Sequence, residues 1–356
     1  MDKSVKINFI LPFKPRRPAG GFRIMYEYAN RLAKKGYKVH LTYPIRTPYM
    51  NYRLPYPARY ILTKIEGMDK DRWFDFDPSI TMSYVSEVRD KYIVDADIVI
   101  ATWWSTAAEM GKLSPQKGRK INLIQGYENW EGHEDLLFKS YDMKGVTNVV
   151  VASYLKKIVE QHTDKKAILI ENAINPEVFH ITAPPEERNA ASVAMTYSTQ
   201  EIKGSEYGLQ ALKIAKEKNP DIKAEFFGIG PQPEGLPEWI TYYRNPSDLD
   251  ALYNRNAIFI SNSLTEGFPL TPAESLFCGC ALICTDIDGH REFAIDHKTA
   301  LLVEIKNAEQ MAEKILYLAK NSTERIQLAY EGNKYMSRFS WDNAVAKMEN
   351  VIKELL

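Results

Sequence analysis

The chain has 356 residues, and its 46 lysine and arginine residues balance 46 aspartate and glutamate residues. This length allows two domains of ordinary size, and the zero net charge gives no overall field that would favour nucleic acid. Its apolar runs fall short of the roughly 18 residues of a membrane-spanning helix, and its first residues lack a signal-peptide profile. The composition therefore predicts a cytoplasmic protein that binds no nucleic acid.

The first predicted elements are an apolar strand over residues 5–13, a helix, and a second strand over residues 37–43. Gly20 and Gly21 form the turn between the first strand and the helix. Because glycine has no side chain, the backbone there can approach a ligand closely, although a plain turn is the alternative. Four basic residues surround this turn: Lys14, Arg16, Arg17 and Arg23. They either form a solvated loop or attract an anionic acceptor or membrane surface.

Another apolar strand, residues 97–102, ends in Trp103 and Trp104. Tryptophan combines a large apolar body with a polar N–H, so these two residues either belong to the core or stack on a sugar.

The strand over residues 122–125 leads into an aromatic and acidic loop, residues 126–135. Ligands bind at the C-terminal ends of strands in open α/β sheets, which makes Tyr127 and Glu128 candidate binding residues. His133 is a weaker candidate for a proton shuttle. The loop has no histidine pair with metal-ligand spacing, so we expect no metal there.

In the second half, a strand over residues 192–198 is followed by a loop with Lys203 and then a helix. A lysine in such a loop either lies on the surface or neutralises a diphosphate leaving group.

The most informative stretch begins at Glu266, after a strand over residues 257–261. Thr271, Pro272 and Glu274 have the spacing of an N-cap, an N1 proline and an N3 glutamate, which predicts a helix with a capping box. Gly279 is expected to end that helix before a strand over residues 281–285. Free N–H groups at the helix start, flanked by two carboxylates, suit a phosphorylated and polyhydroxylated ligand such as a nucleotide sugar. Simple helix capping by Glu274 is the alternative.

Seven residues separate Glu266 from Glu274, and Gly-Phe-Pro follows the first glutamate. This pattern resembles the E-x7-E signature of retaining glycosyltransferase family 4, whose members have the two-domain GT-B fold. The resemblance implies that Glu266 and Lys203 are catalytic. It places the donor on Gly21, Lys203, Gly267, Phe268, Pro269, Leu270, Thr271 and Glu274, with Glu274 binding ribose. It places the acceptor by Gly20, Trp103, Trp104, Tyr127 and Glu128.

The resemblance predicts two doubly wound, Rossmann-like α/β domains with a cleft between them. We expect an N-terminal acceptor domain over residues 1–185 and a donor domain over residues 186–338. Residues 339–356 would form a helix that crosses back onto the first domain. The implied activity is transfer of a hexosyl or deoxyhexosyl group from a nucleoside diphosphate sugar. The acceptor would be a glycan or lipid-linked glycan of surface polysaccharide biosynthesis, with a peripheral contact to the inner membrane face as a further expectation.

The sequence departs from the family pattern at two positions. Ser198 replaces an arginine five residues before Lys203, and Trp103 replaces a histidine near the reacting centre. These departures leave open a catalytically lapsed donor- or partner-binding subunit. A nucleotide-sugar epimerase on the same fold is the other alternative, which would need several acid and base groups in the cleft and finds only the cluster at residues 128–135. An inverting mechanism would need a base in the first domain, for which Glu128 is the candidate.

Two patterns resemble metal sites. Cys278, Cys280 and Cys284 lie close together, but a helix end and a buried strand explain them as free thiols. Asp286-x-Asp288 and Asp75-x-Asp77 mimic a metal-binding pair and are interpreted as structural. We therefore expect neither a metal nor a cofactor, apart from the nucleotide sugar as a co-substrate.

Overall fold

The computed structural model describes residues 4–66, 73–129 and 132–356. The chain divides into two compact units. Unit 1 contains Met1–Asn172 together with Asp342–Leu356, and unit 2 contains Ala173–Trp341.

The described residues of unit 1 form a seven-stranded parallel sheet in the order β3-β2-β1-β4-β5-β6-β7. The strands are β1 (Lys6–Ile10), β2 (Lys38–Pro44), β3 (Thr81–Val85), β4 (Ile98–Ala101), β5 (Arg119–Ile124), β6 (Val146–Val150) and β7 (Ile168–Leu169). The first five helices are α1 (Gly20–Lys34), α2 (Tyr56–Glu66), α3 (Trp104–Gly111), α4 (Glu134–Tyr141) and α5 (Ser153–Gln161). The sheet ends with the two-residue strand β7, which pairs with β6.

The described residues of unit 2 form a six-stranded parallel sheet in the order β10-β9-β8-β11-β12-β13. The strands are β8 (Ser192–Thr196), β9 (Lys223–Gly228), β10 (Ile240–Arg244), β11 (Ile258–Ser261), β12 (Ala281–Thr285) and β13 (Ala300–Val303). The helices are α6 (Ser205–Lys218), α7 (Leu249–Arg255), α8 (Leu270–Phe277), α9 (Asp288–Arg291), α10 (Ala308–Lys320) and α11 (Ser322–Met336). The last helix, α12 (Trp341–Leu355), returns the chain to unit 1.

Short apolar, β-branched runs form the central strands because helices can cover both faces of a parallel sheet. Every residue of β4, β11 and β12 is buried. In each unit the strand order reverses beside the first strand, between β1 and β4 and between β8 and β11. This reversal opens a crevice at the C-terminal ends of the strands, where Rossmann-like folds bind ligands.

The boundary between the units lies earlier than residue 185, where the sequence suggested it. Asn254 of α7 explains the difference, because its Oδ1 accepts hydrogen bonds from the N–H groups of Thr182, at 2.8 Å, and Ala183, at 3.2 Å. The Arg188 guanidinium donates to the Cys278 carbonyl at 2.6 Å. The polar segment around residue 185 is thus attached to unit 2 and does not act as a free linker.

The chain crosses between the units at residues 172–173 and again at residues 341–342. Ile174 pairs with Ser340 in a parallel bridge within unit 2. In unit 1, Glu349 of α12 forms an ion pair with Lys35 at 2.9 Å and accepts a hydrogen bond from the Tyr37 hydroxyl at 3.2 Å. The crossing helix begins at Trp341, within the predicted final segment at residues 339–356.

Within residues 4–66, 73–129 and 132–356, no helix has both the length and the apolar character needed to cross a membrane.

Candidate functional site

The strand reversal of unit 2 carries an ion pair between Lys203 and Glu266. Lys203 follows β8 and Glu266 follows β11, so one side chain comes from each side of the reversal. Lys203 Nζ lies 2.6 Å from Glu266 Oε1, and the Ser263 hydroxyl donates to the same oxygen at 2.7 Å. The side chains are 34% and 15% exposed, so both remain accessible from solvent. The two residues predicted to be catalytic are therefore direct neighbours.

The loop that carries Lys203 packs closely against the loop that follows β11. Gly204 has φ +56°, and a Cβ there would lie 2.1 Å from the Asn262 carbonyl oxygen. The Leu264 N–H donates to the Ile202 carbonyl at 2.8 Å, which joins the two loops on the other side of Lys203. Only glycine fits such a left-handed, crowded position without strain. The Lys-Gly pair in the sequence thus has a structural reason as well as a chemical one.

The Glu266 side of the site rests on the start of α9. A Cβ on Gly289 would lie 2.5 Å from the Glu266 carbonyl oxygen, so the glycine allows the loop to pack directly on this turn. The neighbouring His290 is fully buried, and burial lowers its pKa to about 4. Its Nδ1 lies 2.7 Å from the Thr285 carbonyl oxygen, which can only accept, so Nδ1 carries the proton. A neutral His290 therefore accepts at Nε2 from the Ser261 hydroxyl, 2.9 Å away, and joins the ends of β11 and β12.

The helix that follows Glu266 begins earlier than the capping pattern predicted. α8 starts at Leu270 with Pro269 as N-cap, and no side chain caps it. Thr271 is then the second helical residue and Glu274 the fifth, so the predicted capping box is wrong. Proline fits anywhere in the first turn because the N–H groups there have no intrahelical partner, so Pro272 does not fix the start. The predicted end is confirmed, since Gly279 has φ +74° and a Schellman motif closes the helix.

The loop and first turn of α8 present backbone donors beside the ion pair. Among the hydrogen bonds of the described residues, none uses the N–H of Gly267, Phe268, Leu270 or Thr271. Pro269 has no N–H and therefore cannot contribute a donor. Unused N–H groups at a helix N-terminus create a positive potential that suits an anion.

Glu274 lies deeper in unit 2 than Glu266. Glu274 is 3% exposed, and its Oε2 accepts a hydrogen bond from the Tyr253 hydroxyl at 3.1 Å. Burial raises the pKa of Tyr253 well above its usual value, so this hydroxyl remains a donor. The carboxylate is thus held in a defined orientation by a buried partner.

Ser198 contributes a backbone hydrogen bond rather than a positive charge. Its N–H donates to the hydroxyl of the buried Ser205 at 2.9 Å, which fixes the turn between β8 and α6. The position where the family pattern has an arginine is thus part of the turn, and it adds no cation to the site.

At the strand reversal of unit 1, in contrast, a neutral side chain makes the connecting hydrogen bonds. Gln125, directly after β5, donates from Nε2 to the Gly21 carbonyl at 3.1 Å and to the Thr102 hydroxyl at 2.9 Å. This side chain connects the start of α1 with the end of β4. The predicted glycines Gly20 and Gly21 open α1, and both are exposed. Sequence analysis did not single out Gln125, although its place after a buried strand was a usable signal.

Trp103 and Trp104, two of the predicted acceptor residues, lie at the start of α3. Trp104 is 3% exposed and packs against the rings of Tyr49 and His133, which supports the core alternative for its side chain. Its backbone N–H, at the start of α3, donates to Glu128 Oε2 at 2.8 Å. Trp103 is the N-cap of α3 with φ +71°, a conformation that is costly for a bulky residue.

Tyr127 belongs to the same edge of unit 1. Its hydroxyl donates to Glu134 Oε1 at 2.9 Å, and burial is the main cause of its raised pKa. Trp130 and Glu131, which the sequence places in the same loop, lie outside the described residues.

The three cysteines are buried free thiols, and burial raises the pKa of each. In the part of the chain that the structure describes, no group of three or more histidine, cysteine, aspartate or glutamate residues could hold a metal ion.

Comparison with known families finds a match within unit 2. Residues 181–335 match the family model described as glycosyl transferases group 1. The match covers 155 of the 356 residues of the chain. It includes Lys203, Glu266 and Glu274, so the candidate site lies within the matched stretch. The resemblance inferred from the sequence is thereby confirmed at the level of group 1.

Two curated relatives are glycosyltransferases. An uncharacterised glycosyltransferase of Methanocaldococcus jannaschii is 25% identical over 217 residues, which cover 58% of this chain and 59% of that protein. The N,N'-diacetylbacillosaminyl-diphospho-undecaprenol alpha-1,3-N-acetylgalactosaminyltransferase of Campylobacter jejuni is 32% identical over 115 residues, or 32% of this chain and 28% of that protein. The chain therefore spans 59% or less of the length of these relatives.

Solved structures show the fold of the whole chain. HepE of Anabaena, crystallised with UDP-glucose, superposes with a TM-score of 0.72 at 12% identity, covering 99% of this chain and all of that one. The prediction of an α/β fold with two Rossmann-like units of the GT-B type is confirmed.

Proposed function

We propose that this protein is a metal-independent, retaining glycosyltransferase of the family 4 type. It moves a hexosyl or deoxyhexosyl group from a nucleoside diphosphate sugar to a glycan or lipid-linked glycan, in the cytoplasm, for a cell-surface polysaccharide. The group 1 family match and the glycosyltransferase relatives support this activity. HepE, whose crystals contain UDP-glucose, supports a nucleotide-sugar donor.

The observation that carries the proposal is the convergence of positive groups on one crevice of unit 2. Lys203 comes from the β8 side of the strand reversal, and the unused N–H groups of residues 267–271 come from the β11 side. A leaving diphosphate develops negative charge, and fixed cations and N–H dipoles stabilise it in the transition state. This arrangement supplies the positive charge that a divalent metal supplies in other transferases.

Glu266 has two roles in this proposal. In the absence of substrate its carboxylate pairs with Lys203 and keeps the ammonium group in the crevice. When the donor diphosphate takes over the lysine, the carboxylate becomes available to accept hydrogen bonds from the sugar hydroxyls. Glu274, oriented by Tyr253, is the proposed ribose ligand. Oriented acceptors of this kind select a polyhydroxylated donor because the wrong substrate leaves them unpaired.

The acceptor is assigned to unit 1. Its strand-reversal region has a neutral Gln125 bridge and the exposed glycines of α1, which suits a sugar rather than a diphosphate. A lipid-linked acceptor is supported by the Campylobacter relative, whose name specifies an undecaprenol-diphosphate substrate.

The test is release of nucleoside diphosphate from a panel of sugar nucleotides by the purified full-length chain. We expect slow hydrolysis of one donor without an added acceptor, at an unchanged rate in EDTA. NMR of the released sugar should show the anomeric configuration of the donor. Binding of a donor without any turnover, with or without glycan acceptors, would contradict the proposal and favour the lapsed subunit.

A further inference from the structure

Unit 1 contains a cavity that lies outside the family match and outside the candidate site of unit 2. Its volume is about 390 Å³, and it lies at the C-terminal edge of the sheet. Phe13 after β1, Pro44 at the end of β2 and Tyr84 of β3 contribute to its wall. The remaining wall comes from Lys14 and Arg16, from residues within 45–54 and from α2.

The charged side chains among the described lining residues of this cavity all carry the same sign. Four of these residues are cations, and none is acidic; the cations are Lys14, Arg16, Arg53 and Arg59. Cations that line one cavity attract an anion that enters it.

Arg59 shows how one of these cations is prepared for an anion. Its guanidinium lies over the Tyr52 ring, 3.4 Å from the ring centroid, and donates through Nη1 to the Ile45 carbonyl. Its Nε–H is buried and has no hydrogen-bond partner among the described residues. Arginine in a fixed orientation with unused donors is the side chain that best recognises phosphate.

The apolar part of the cavity continues onto the surface of α2. Leu54 and Leu62 line the cavity and are 45% and 36% exposed. Ile61 and Ile65, spaced at i and i+4 on the helix, are 56% and 75% exposed. Two neighbouring isoleucines are unusual on the solvent-exposed face of a short helix. An apolar ligand that lies on this face would cover them.

We propose that this cavity binds the phosphate or diphosphate group of a lipid-linked acceptor, with the lipid chain lying along α2. The proposal rests on the proposed function, because it names the chemical class of the acceptor. A ligand with an anionic head and an apolar chain is the one class that uses both the cations and the exposed isoleucines.

The first experiment measures binding by calorimetry, with the full-length chain and no nucleotide sugar. The probes are farnesyl diphosphate, inorganic pyrophosphate and farnesol. We expect farnesyl diphosphate to bind at least about tenfold more tightly than pyrophosphate, and farnesol to show no binding, because each part of the ligand supplies part of the affinity. Equal affinity for the two diphosphates, or no binding of farnesyl diphosphate, would overturn the inference.

Matched variants locate the site. Arg53→Ala should weaken farnesyl diphosphate binding about five- to tenfold, whereas Arg89→Ala, which removes a surface arginine elsewhere in unit 1, should not change it. Ile65→Ser should reduce the advantage of farnesyl diphosphate over pyrophosphate, and Val94→Ser, another exposed apolar position of unit 1, should leave it intact. Equal effects in the paired variants would contradict the assigned cavity.

A vesicle experiment separates this ligand from a membrane surface. The chain should bind phosphatidylcholine vesicles only when they contain a polyprenyl diphosphate. Equal binding to phosphatidylglycerol vesicles would assign the cations to a general anionic surface and overturn the inference. Because no donor is present, failure of donor turnover with intact farnesyl diphosphate binding refutes only the proposed function. Transfer to a soluble glycan without farnesyl diphosphate binding refutes only this inference.

Discussion

Unit 1 and unit 2 share one strand order but differ in charge at the same topological position. Where the order reverses in unit 2, Lys203 and Glu266 form an ion pair beside unused backbone N–H groups. Where it reverses in unit 1, Gln125 joins Gly21 and Thr102 through neutral hydrogen bonds. The comparison teaches that the fold supplies the crevice, whereas a few loop residues decide whether the crevice is charged or neutral.

The largest expected effect is on the charged side of this comparison. Lys203→Ala should lower donor turnover about 10²- to 10³-fold, because the leaving diphosphate loses its only proposed side-chain cation. Rates of nucleoside diphosphate release, measured at saturating donor, test this. Lys223→Ala, an exposed lysine at the start of β9, is the control. If donor turnover by Lys203→Ala fell by less than about threefold, the charge of Lys203 would not be needed. The difference in charge between the two units would then have no functional meaning.

The second prediction concerns the packing beneath Glu266. Gly289→Ala places a methyl group 2.5 Å from the Glu266 carbonyl oxygen, so the loop must move. We expect a loss of about 1–3 kcal/mol in the free energy of unfolding and about a tenfold loss of turnover. Urea denaturation and the release assay measure the two effects. Gly230→Ala, where a Cβ would meet nothing within 4 Å, should change neither. Wild-type behaviour of Gly289→Ala would show that the loop position is unimportant.

The third prediction concerns pH. His290 is neutral in the folded protein because burial lowers its pKa to about 4, whereas the unfolded chain binds a proton near pH 6.5. The unfolded state therefore takes up more protons below pH 6.5, and stability is lost as the pH falls towards 4. The free energy of unfolding should decrease by about 2 kcal/mol between pH 7 and pH 5 from this residue.

Urea denaturation of wild type and His290→Gln at both pH values isolates this contribution, because the other titrating groups are common to both. The variant should be less stable at pH 7 but less sensitive to pH. Parallel curves would mean that His290 does not titrate between the folded and unfolded states.

The smallest effect is expected on the neutral side. Glu128→Gln replaces the carboxylate that accepts the Trp104 N–H, so α3 loses a favourable charge at its start worth about 0.3–1 kcal/mol. Turnover should remain within about threefold, since a retaining mechanism needs no base in unit 1. Thermal unfolding and the transfer assay measure the two quantities, with Asp164→Asn, an exposed acidic residue of unit 1, as the control. A loss of about 10²- to 10⁴-fold, the contribution of a general base, would indicate an inverting mechanism.

The sequence was sufficient for much of unit 2. The strand at Ala281–Thr285 has its predicted bounds, because it is an apolar run and Gly279 clearly marks the end of the helix before it. The start of α8 was misplaced because a Thr-Pro-x-Glu pattern fits more than one register of a first turn.

Contacts between distant loops were beyond sequence reasoning. The pairing of Lys203 with Glu266 and the bridge made by Gln125 depend on which strands become neighbours. The left-handed backbone of Trp103 has no local signal, because tertiary packing imposes it against the preference of a bulky residue. The cavity near α2 is lined by residues from separate parts of the chain, of which sequence analysis marked only the basic residues Lys14 and Arg16.

The return of α12 to unit 1 has a consequence for synthesis. Unit 2 is an insertion between Asn172 and Asp342 of unit 1. A ribosome therefore releases all of unit 2 before it supplies the helix that completes unit 1. The half that is started first is finished last, and a nascent chain stopped before Asp342 would expose the surface of unit 1 that α12 covers.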